Sequence, residues 1–305
     1  MKKIIIAGGT GFLGNVLIEY FKAKTVHFVI LTRGKTVQKE NVKYINWDGT
    51  HLTGWESHLE NADVLINLTG KSVDCRYHKK NKLEILNSRV NATNVLQKAI
   101  EKCKTPPAIW LNASTATIYK HSEDTPMTEK SGEIGDDFSM GVAKKWEQSF
   151  FKKSLQKTRK IALRTSIVLG KNGGAFIPLK NLTRFGLGGK QGKGTQMVSW
   201  IHEIDFARAI EFILNTPNLE GVINVTVPTP VKNKNFMKSL RKTMNKPFGL
   251  WAPALLLKIG AFFIRTETEL ILKSRYVIPL KLQEAGFQFN FKSPAKAFQN
   301  LLEKD

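Results

Sequence analysis

Gly8-Gly9-Thr10-Gly11-Phe12-Leu13-Gly14 is the stretch on which the fold turns. It follows the short apolar run Lys3–Ala7 and opens Phe12–Ala23, where Leu13, Val16, Leu17 and Tyr20 recur at helical spacing. A strand, a glycine turn and a helix, in that order, form the setting in which glycines cradle a dinucleotide. Gly8 and Gly11 permit a tight turn and a close approach of backbone to pyrophosphate, where a Cβ would intrude. Gly14 permits the helix to pack close to the strand. The helix N-terminus then turns free N–H groups and the positive end of its dipole towards the phosphates. Thr10, Phe12 and Leu13 complete the candidate cofactor loop.

Strand-like and helix-like segments alternate outward from this loop. Val26–Leu31 and Val42–Trp47 read as the second and third strands, and Asp63–Leu68 as the fourth. Lys79–Lys102 reads as a long amphipathic helix with Leu83, Leu86, Val90, Thr93 and Leu96 along one stripe. Ala108–Ala113 reads as a fifth strand, Phe138–Leu155 as a helix and Lys160–Leu169 as a sixth strand. Repeated βα units of this length imply an α/β fold, a doubly wound parallel sheet of Rossmann type with helices on both faces.

After Gly170 the texture changes. Glycines cluster from Gly173-Gly174 to Gly194 and read as a long loop region with short pieces of structure. Glu203–Asn215 is again helical and Gly221–Val227 again strand-like, which returns the chain to the sheet. From about Lys232 the pattern is mostly helical. The expected division is a dinucleotide-binding domain over 1–170, with 203–227 returning to it. A smaller, mostly helical substrate lobe then takes 171–202 and 228–305.

The 305 residues are 42% hydrophobic and 24% charged, an ordinary globular balance without the signature of disorder. The two cysteines, Cys75 and Cys103, sit in no metal-ligand spacing, so neither a metal site nor a disulfide framework is expected. The opening MKKIII breaks at Gly8-Gly9, too soon for a signal peptide. A reducing, cytoplasmic setting is the expectation. Leu250 to Ile264 is broken by Pro253, Lys258 and Gly260 and is too short to span a membrane. It reads as a helix packed in the second lobe, with membrane-surface contact as the alternative. The formal net charge of +22 comes from lysines scattered through every segment, with no nucleic-acid-binding motif beside them. Such a surface draws anions without specifying a partner, so a small molecule rather than nucleic acid is expected as the ligand. Oligomeric state has no sequence signal.

The second strand ends in Leu31-Thr32-Arg33, where an NAD-preferring site usually carries an acidic residue for the ribose hydroxyls. Arg33 offers a forked cation suited to a 2′-phosphate, with the Thr32 hydroxyl beside it, so NADP(H) is the expected dinucleotide. Leu68-Thr69-Gly70, at the exit of the fourth strand, would pass along the adenosine ribose, where small residues help. Asn67 reads either as a buried tie between strands or as a cofactor contact.

With these segments in view the sequence resembles an extended short-chain dehydrogenase/reductase. More narrowly, it is similar to the epimerase-family branch of the NAD-dependent epimerase/dehydratase proteins, some of which carry a cell-division-inhibitor label. The segments that carry the resemblance include GGTGFLG, LTRG, INLTGKSV, KLEILNSRV, ASTATIY, RTSIVLGKNGGAF and FGLGGKQGKGTQMVSWIHEID, spread from Lys3 to Phe289. The resemblance implies an NADP-dependent oxidoreductase-like or epimerase-like protein with its substrate site between the lobes. It also implies cofactor contacts from Thr32, Arg33, Leu68, Thr69, Glu84, Arg89 and Val168.

Hydride chemistry in that superfamily usually relies on a Ser or Thr with a Tyr and a Lys four apart on a helix. The hydroxyl can be placed: Ser114 or Thr115, at the end of the fifth strand, would hydrogen-bond a substrate oxygen. The window that should carry the Tyr and Lys reads DFSMGVAKKWE from Asp137 to Glu147 and contains no tyrosine. Tyr20–Lys24 has the spacing but lies at the far end of the first helix, away from any nicotinamide. Tyr119, just beyond the fifth strand, and His202, at a helix start beside the glycine-rich loop, are the candidate substitute proton carriers. Two functions follow as expectations. The leading one is an NADP(H)-dependent oxidoreductase or epimerase-like enzyme of unknown small-molecule substrate. The rival is a non-catalytic NADP(H)-binding regulator.

Overall fold

The computed structural model describes residues 2–254 and 272–303. At its centre is β1 (Lys2–Ala7), whose Ile4, Ile5, Ile6 and Ala7 are buried. Burial of four successive side chains means both faces of the strand are covered. Parallel pairing joins β1 to β2 (Val26–Thr32) on one side and to β5 (Val64–Asn67) on the other. Beyond β2 lie β4 (Val42–Asn46) and a short antiparallel edge strand, β3 (Val37–Lys39). Beyond β5 lie β6 (Ile109–Thr115), β7 (Arg159–Thr165) and β12 (Gly221–Val225). The eight-stranded order is therefore β12-β7-β6-β5-β1-β2-β4-β3. The strand order reverses next to β1, and that reversal is where open α/β sheets bind ligands.

Alternation along β1 sorts the core into two layers. Ile4 and Ile6 join Leu17 and Phe21 of α1 (Phe12–Phe21) and Ile210 and Ile213 of α5 (Glu203–Asn215). Ile5 and Ala7 join Leu96 and Ile100 of α2 (Lys79–Lys102) and Phe150 of α3 (Phe138–Phe151). The stripe expected on α2 is displaced at its start: Leu83 is exposed, and Ile85, Ala92, Val95, Leu96 and Ile100 are buried. The first turns of α2 overhang the sheet, so they face a cavity rather than the core.

Two expectations change after β7. The apolar run Lys160–Leu169 is not one strand. It leaves the main sheet after Thr165, and β8 (Ile167–Gly170) pairs instead with β9 (Gly173–Gly174) and β11 (Trp200–His202). The break falls at Arg164-Thr165-Ser166, a short polar interruption between two apolar pieces that the single-strand reading passes over. The glycine-rich stretch also contains a helix, α4 (Phe176–Arg184), besides β10 (Met197–Val198), which pairs with β13 (Val231–Lys232). A third cluster, with Phe176, Trp200, Phe236, Leu240 and Phe298, packs α4 against α6 (Asn233–Thr243) and α8 (Pro294–Leu302). The short α7 (Leu280–Glu284) packs by β12. Part of the apolar stretch Leu250 to Ile264 lies outside the described residues. No helix among the described residues is long and apolar enough to cross a membrane.

Candidate functional site

The glycine loop forms one wall of a cavity of about 560 Å³ at the ends of β1, β5 and β6. Gly8 takes φ +72°, and a Cβ there would meet Thr69 at 3.0 Å. Gly14 has no room at all: a Cβ would lie 2.1 Å from the carbonyl oxygen of Gly9. Gly11 differs, since a Cβ would find only the Gly8 oxygen, at 4.0 Å. The space beside Gly11 is open cavity. Gly11 caps α1 without a side-chain hydrogen bond, and no acidic residue sits in the helix's first turn. Its N-terminal N–H groups and dipole therefore face the cavity without a protein carboxylate to neutralise them.

The later glycines have a different purpose. Cβ atoms at Gly170, Gly173 and Gly174 would fall within 2.3, 2.4 and 2.9 Å of the Phe12 ring. These glycines make room for Phe12, which lines the cavity beside the phosphate loop.

The exit of β5 supplies the facing wall, with Leu68, Thr69, Gly70 and Lys71. Arg89 reaches in from α2, and its Nη1 donates to the carbonyls of Lys71 at 3.0 Å and Ile85 at 2.9 Å. Its guanidinium also lies over the Trp146 ring, 5.1 Å from the centroid. Burial pushes its pKa down to about 10, which leaves it a cation at neutral pH. Lys71 is ion-paired with Glu84 and donates to Asn81 at 2.9 Å. Glu84 itself does not line the cavity; it acts on the wall through Lys71. No Asp or Glu among the described residues lines the cavity, which suits it to an anionic ligand.

Ser114 and Thr115 end β6 at the cavity floor. The Ser114 hydroxyl donates to Glu147 at 2.6 Å, so its proton is committed. Glu147 in turn holds Arg164 through two bonds, from Nε at 2.8 Å and Nη2 at 2.7 Å. Thr115 Oγ1 accepts the Thr117 N–H at 3.1 Å and keeps its own proton for another partner. Asn67 is a tie between strands: its Nδ2 donates to Asn112 at 2.7 Å and its Oδ1 accepts the Thr69 N–H at 3.0 Å.

The face of α3 that closes the cavity carries Phe138, Ser139, Val142, Ala143 and Trp146. Ser139 and Ala143 are four apart, as are Phe138 and Val142 and also Val142 and Trp146, and none of these pairs is a Tyr with a Lys. Lys144 points elsewhere and pairs with Asp136 at 2.7 Å, and Lys145 is exposed. Ser139 Oγ and Thr69 Oγ1 are buried and without a hydrogen-bond partner. An unpaired buried hydroxyl is costly, and both belong to residues that line the cavity.

Several sequence candidates are not brought to this cavity. Tyr119 is fully buried; its hydroxyl accepts from Arg164 Nη1 at 2.8 Å and donates to Asn224 Oδ1 at 2.9 Å. Burial raises its pKa further above the usual phenol value. It serves the network beneath the floor and does not line the cavity. His202 is buried too, with Nδ1 accepting the Ile204 N–H at 3.1 Å as the cap of α5 and its ring stacked on Phe291. Burial pushes its pKa down to about 4, so it is neutral and structural. Thr32 accepts the Gly34 N–H at 3.3 Å, and Arg33 is exposed just past the end of β2; neither lines the cavity. Val168 lies in β8 within the α1 core layer. Lys71, Ser139 and Trp146 were missed by sequence reasoning. Helical spacing from Ser139 through Val142 and Ala143 to Trp146 was the available signal for the last two.

Comparison with known proteins agrees with this geometry. The family model described as "NAD dependent epimerase/dehydratase family" matches residues 4–226, and a domain of unknown function, DUF1731, matches 252–301. An epimerase family protein of Staphylococcus haemolyticus is 33% identical over 306 residues, covering 99% of this chain and 100% of the relative. One from Staphylococcus epidermidis is 33% identical over 304 residues, covering 99% and 100%. Among solved structures, human epimerase family protein SDR39U1 (isoform 2) with NADPH superposes with TM-score 0.88 at 28% identity, covering 98% of each chain. A nucleoside-diphosphate sugar epimerase from Corynebacterium glutamicum gives TM-score 0.79 at 26% identity, covering 99% of this chain and 58% of that one.

Proposed function

The chain belongs to the NAD dependent epimerase/dehydratase family, and from that premise we propose that it binds NADP(H) and acts as an oxidoreductase or epimerase-like enzyme on a small molecule. The observation that carries the reading is the open space beside Gly11, at an uncapped helix N-terminus, in a cavity whose charged lining residues among those described are Lys71 and Arg89. The orphaned hydroxyls of Thr69 and Ser139, both on residues that line the cavity, are groups a bound ligand would satisfy. The NADPH named with the human relative supports the same choice.

Gly8, Thr10, Gly11, Phe12, Leu13 and Gly14 would hold the pyrophosphate, with Leu68, Thr69, Gly70 and Arg89 along the facing wall. Thr32 and Arg33, beyond the cavity at the end of β2, would meet the adenosine ribose and its 2′-phosphate. When bound, the cofactor supplies a carbon that accepts or gives up a hydride. Thr115 supplies a hydroxyl whose proton is uncommitted, aimed from the strand end into the cavity; it would donate to a substrate oxygen. Ser114 would tune the floor through Glu147 and Arg164 rather than give up its proton. The domain division belongs to the same proposal, with residues 1–170 and 203–227 the cofactor unit and 171–202 and 228–305 the substrate lobe.

A screen of NADPH oxidation against varied carbonyl compounds tests the reading. We expect slow turnover with some of them, slowed by about 10²-fold in Thr115→Val. Turnover indifferent to Thr115→Val would remove that residue from the role. A second reading, a non-catalytic NADP(H)-dependent regulator, is favoured by one observation: the face of α3 that lines the cavity carries neither a Tyr nor a Lys among the described residues. Tight NADPH binding with no turnover in any arm of the screen would select it.

A further inference from the structure

We propose that the second lobe docks onto an anionic phospholipid surface through an exposed apolar patch formed by two joined loops. Phe185 and Leu187 project from the turn after α4, and Phe248, Leu250 and Trp251 from the segment after α6. Their exposures are 74, 44, 65, 58 and 55%. The two loops are tied side by side, so these side chains make one patch. Leu250 N donates to the Gly186 carbonyl at 2.8 Å, Ala252 N to Lys190 at 3.0 Å and Gly192 N to Ala252 at 2.8 Å. Trp251 Nε1 reaches the Gly192 carbonyl at 2.8 Å, and Arg241 Nη1 the Gly188 carbonyl at 2.6 Å. A Cβ at Gly189 would lie 2.1 Å from the Leu250 oxygen, so this close joining depends on glycine.

Isolated exposed hydrophobes need no explanation, but five on one rigid pair of loops mark an interaction surface. Charge identifies the occupant. Neither Lys171–His202 nor Gly221–Thr266 contains a single Asp or Glu. Arg184, Lys190, Lys193 and Lys246 stand in or beside the two loops, and none is ion-paired among the described residues. Lys190 Nζ lies 4.8 Å from the Trp251 ring centroid, a cation at the edge of the apolar surface. Aromatic and aliphatic side chains flanked by Lys and Arg match the boundary between acyl chains and anionic headgroups. A second copy docked face to face would set these cations against themselves. A nucleic acid would engage the cations and the aromatic rings, but it offers no hydrocarbon for Leu187 and Leu250. The contact is with the surface only.

The test is co-sedimentation of the full chain with vesicles of phosphatidylcholine alone or mixed equally with phosphatidylglycerol. We expect binding at least about tenfold tighter to the mixed vesicles, weakened by added salt. Phe185→Ser with Phe248→Ser should cut it at least about tenfold with an unchanged melting temperature, because both side chains face solvent. Lys190→Glu with Lys246→Glu should do the same, while Lys22→Glu with Lys152→Glu, the same charge change just past the ends of α1 and α3, should not. Equal binding to both vesicle types, or equal losses from the two charge pairs, would overturn the proposal. So would full binding by the phenylalanine variant. Stronger binding of a single-stranded oligonucleotide through the same residues would replace lipid with nucleic acid. Concentration-dependent dimers abolished by the phenylalanine pair would replace it with self-association.

Discussion

Replacing Glu147 by alanine should be among the most damaging single changes in this protein, and the reason lies beneath the cavity floor. Glu147 and Arg164 are joined by two hydrogen bonds of 2.8 and 2.7 Å with side chains only 10% exposed. Burial opposes the Arg164 charge, and Glu147 more than offsets it, leaving the guanidinium pKa above its usual range. Glu147→Ala keeps the buried cation and removes its partner, which costs about 3–5 kcal/mol in comparable pairs. It also frees the Ser114 hydroxyl, which now donates to Glu147 at 2.6 Å. For a chain of this size each kcal/mol lowers the melting temperature by roughly 2 °C, so a drop of roughly 6–10 °C is expected by calorimetry. The double variant Glu147→Leu/Arg164→Met removes both charges and should recover most of that loss. A loss below about 1 kcal/mol for Glu147→Ala, the size of an exposed pair, would refute the reasoning.

Two further predictions use the same geometry. Gly11→Val should keep the fold and lose the dinucleotide, whereas Gly14→Val, with a Cβ 2.1 Å from the Gly9 oxygen, should fail to fold; circular dichroism and a cofactor titration read both, and equal behaviour of the two would contradict the loop assignment. His202 has a folded pKa of about 4 against 6.5 for the free side chain, so the fold favours its neutral form. Its contribution is present above pH 6.5 and is lost as pH falls towards 4, up to roughly 3 kcal/mol. His202→Asn, which retains a capping oxygen, should flatten urea-derived stability across that window; an unchanged slope would show that His202 protonates freely in the folded state.

The parts of the protein legible in its sequence are those whose determinants are local. Gly8 to Gly14 sit between a strand and a helix, and the neighbours of Gly11 and Gly14 lie within the same seven residues of chain, while Gly8 answers to Thr69. The bounds of α2 and α5 followed from hydrophobic spacing. The cavity floor was harder, because a polar side chain at a strand end serves a substrate or a buried network equally well until its partners are known. Tyr119 answers to Arg164 and Asn224, which are 45 and 105 residues away in sequence. His202 answers to Phe291 on a distant segment. The window from Asp137 to Glu147 shows no tyrosine, but which of its side chains face the cavity needed the orientation of α3. The departure of β8 from the main sheet was marked only by the polar triplet Arg164-Thr165-Ser166, too short to tell a break from polar positions within one strand.

The central claim is that the glycine loop takes a dinucleotide and that Arg33 selects the phosphorylated one. Isothermal titration with NADPH and with NADH at low salt tests it most directly. The account predicts one site per chain, NADPH at least about tenfold tighter, a difference of ~1.4 kcal/mol, and loss of that preference in Arg33→Asp. Equal affinity for the two dinucleotides in the unaltered protein would contradict the selection by Arg33, and binding of neither would contradict the account as a whole.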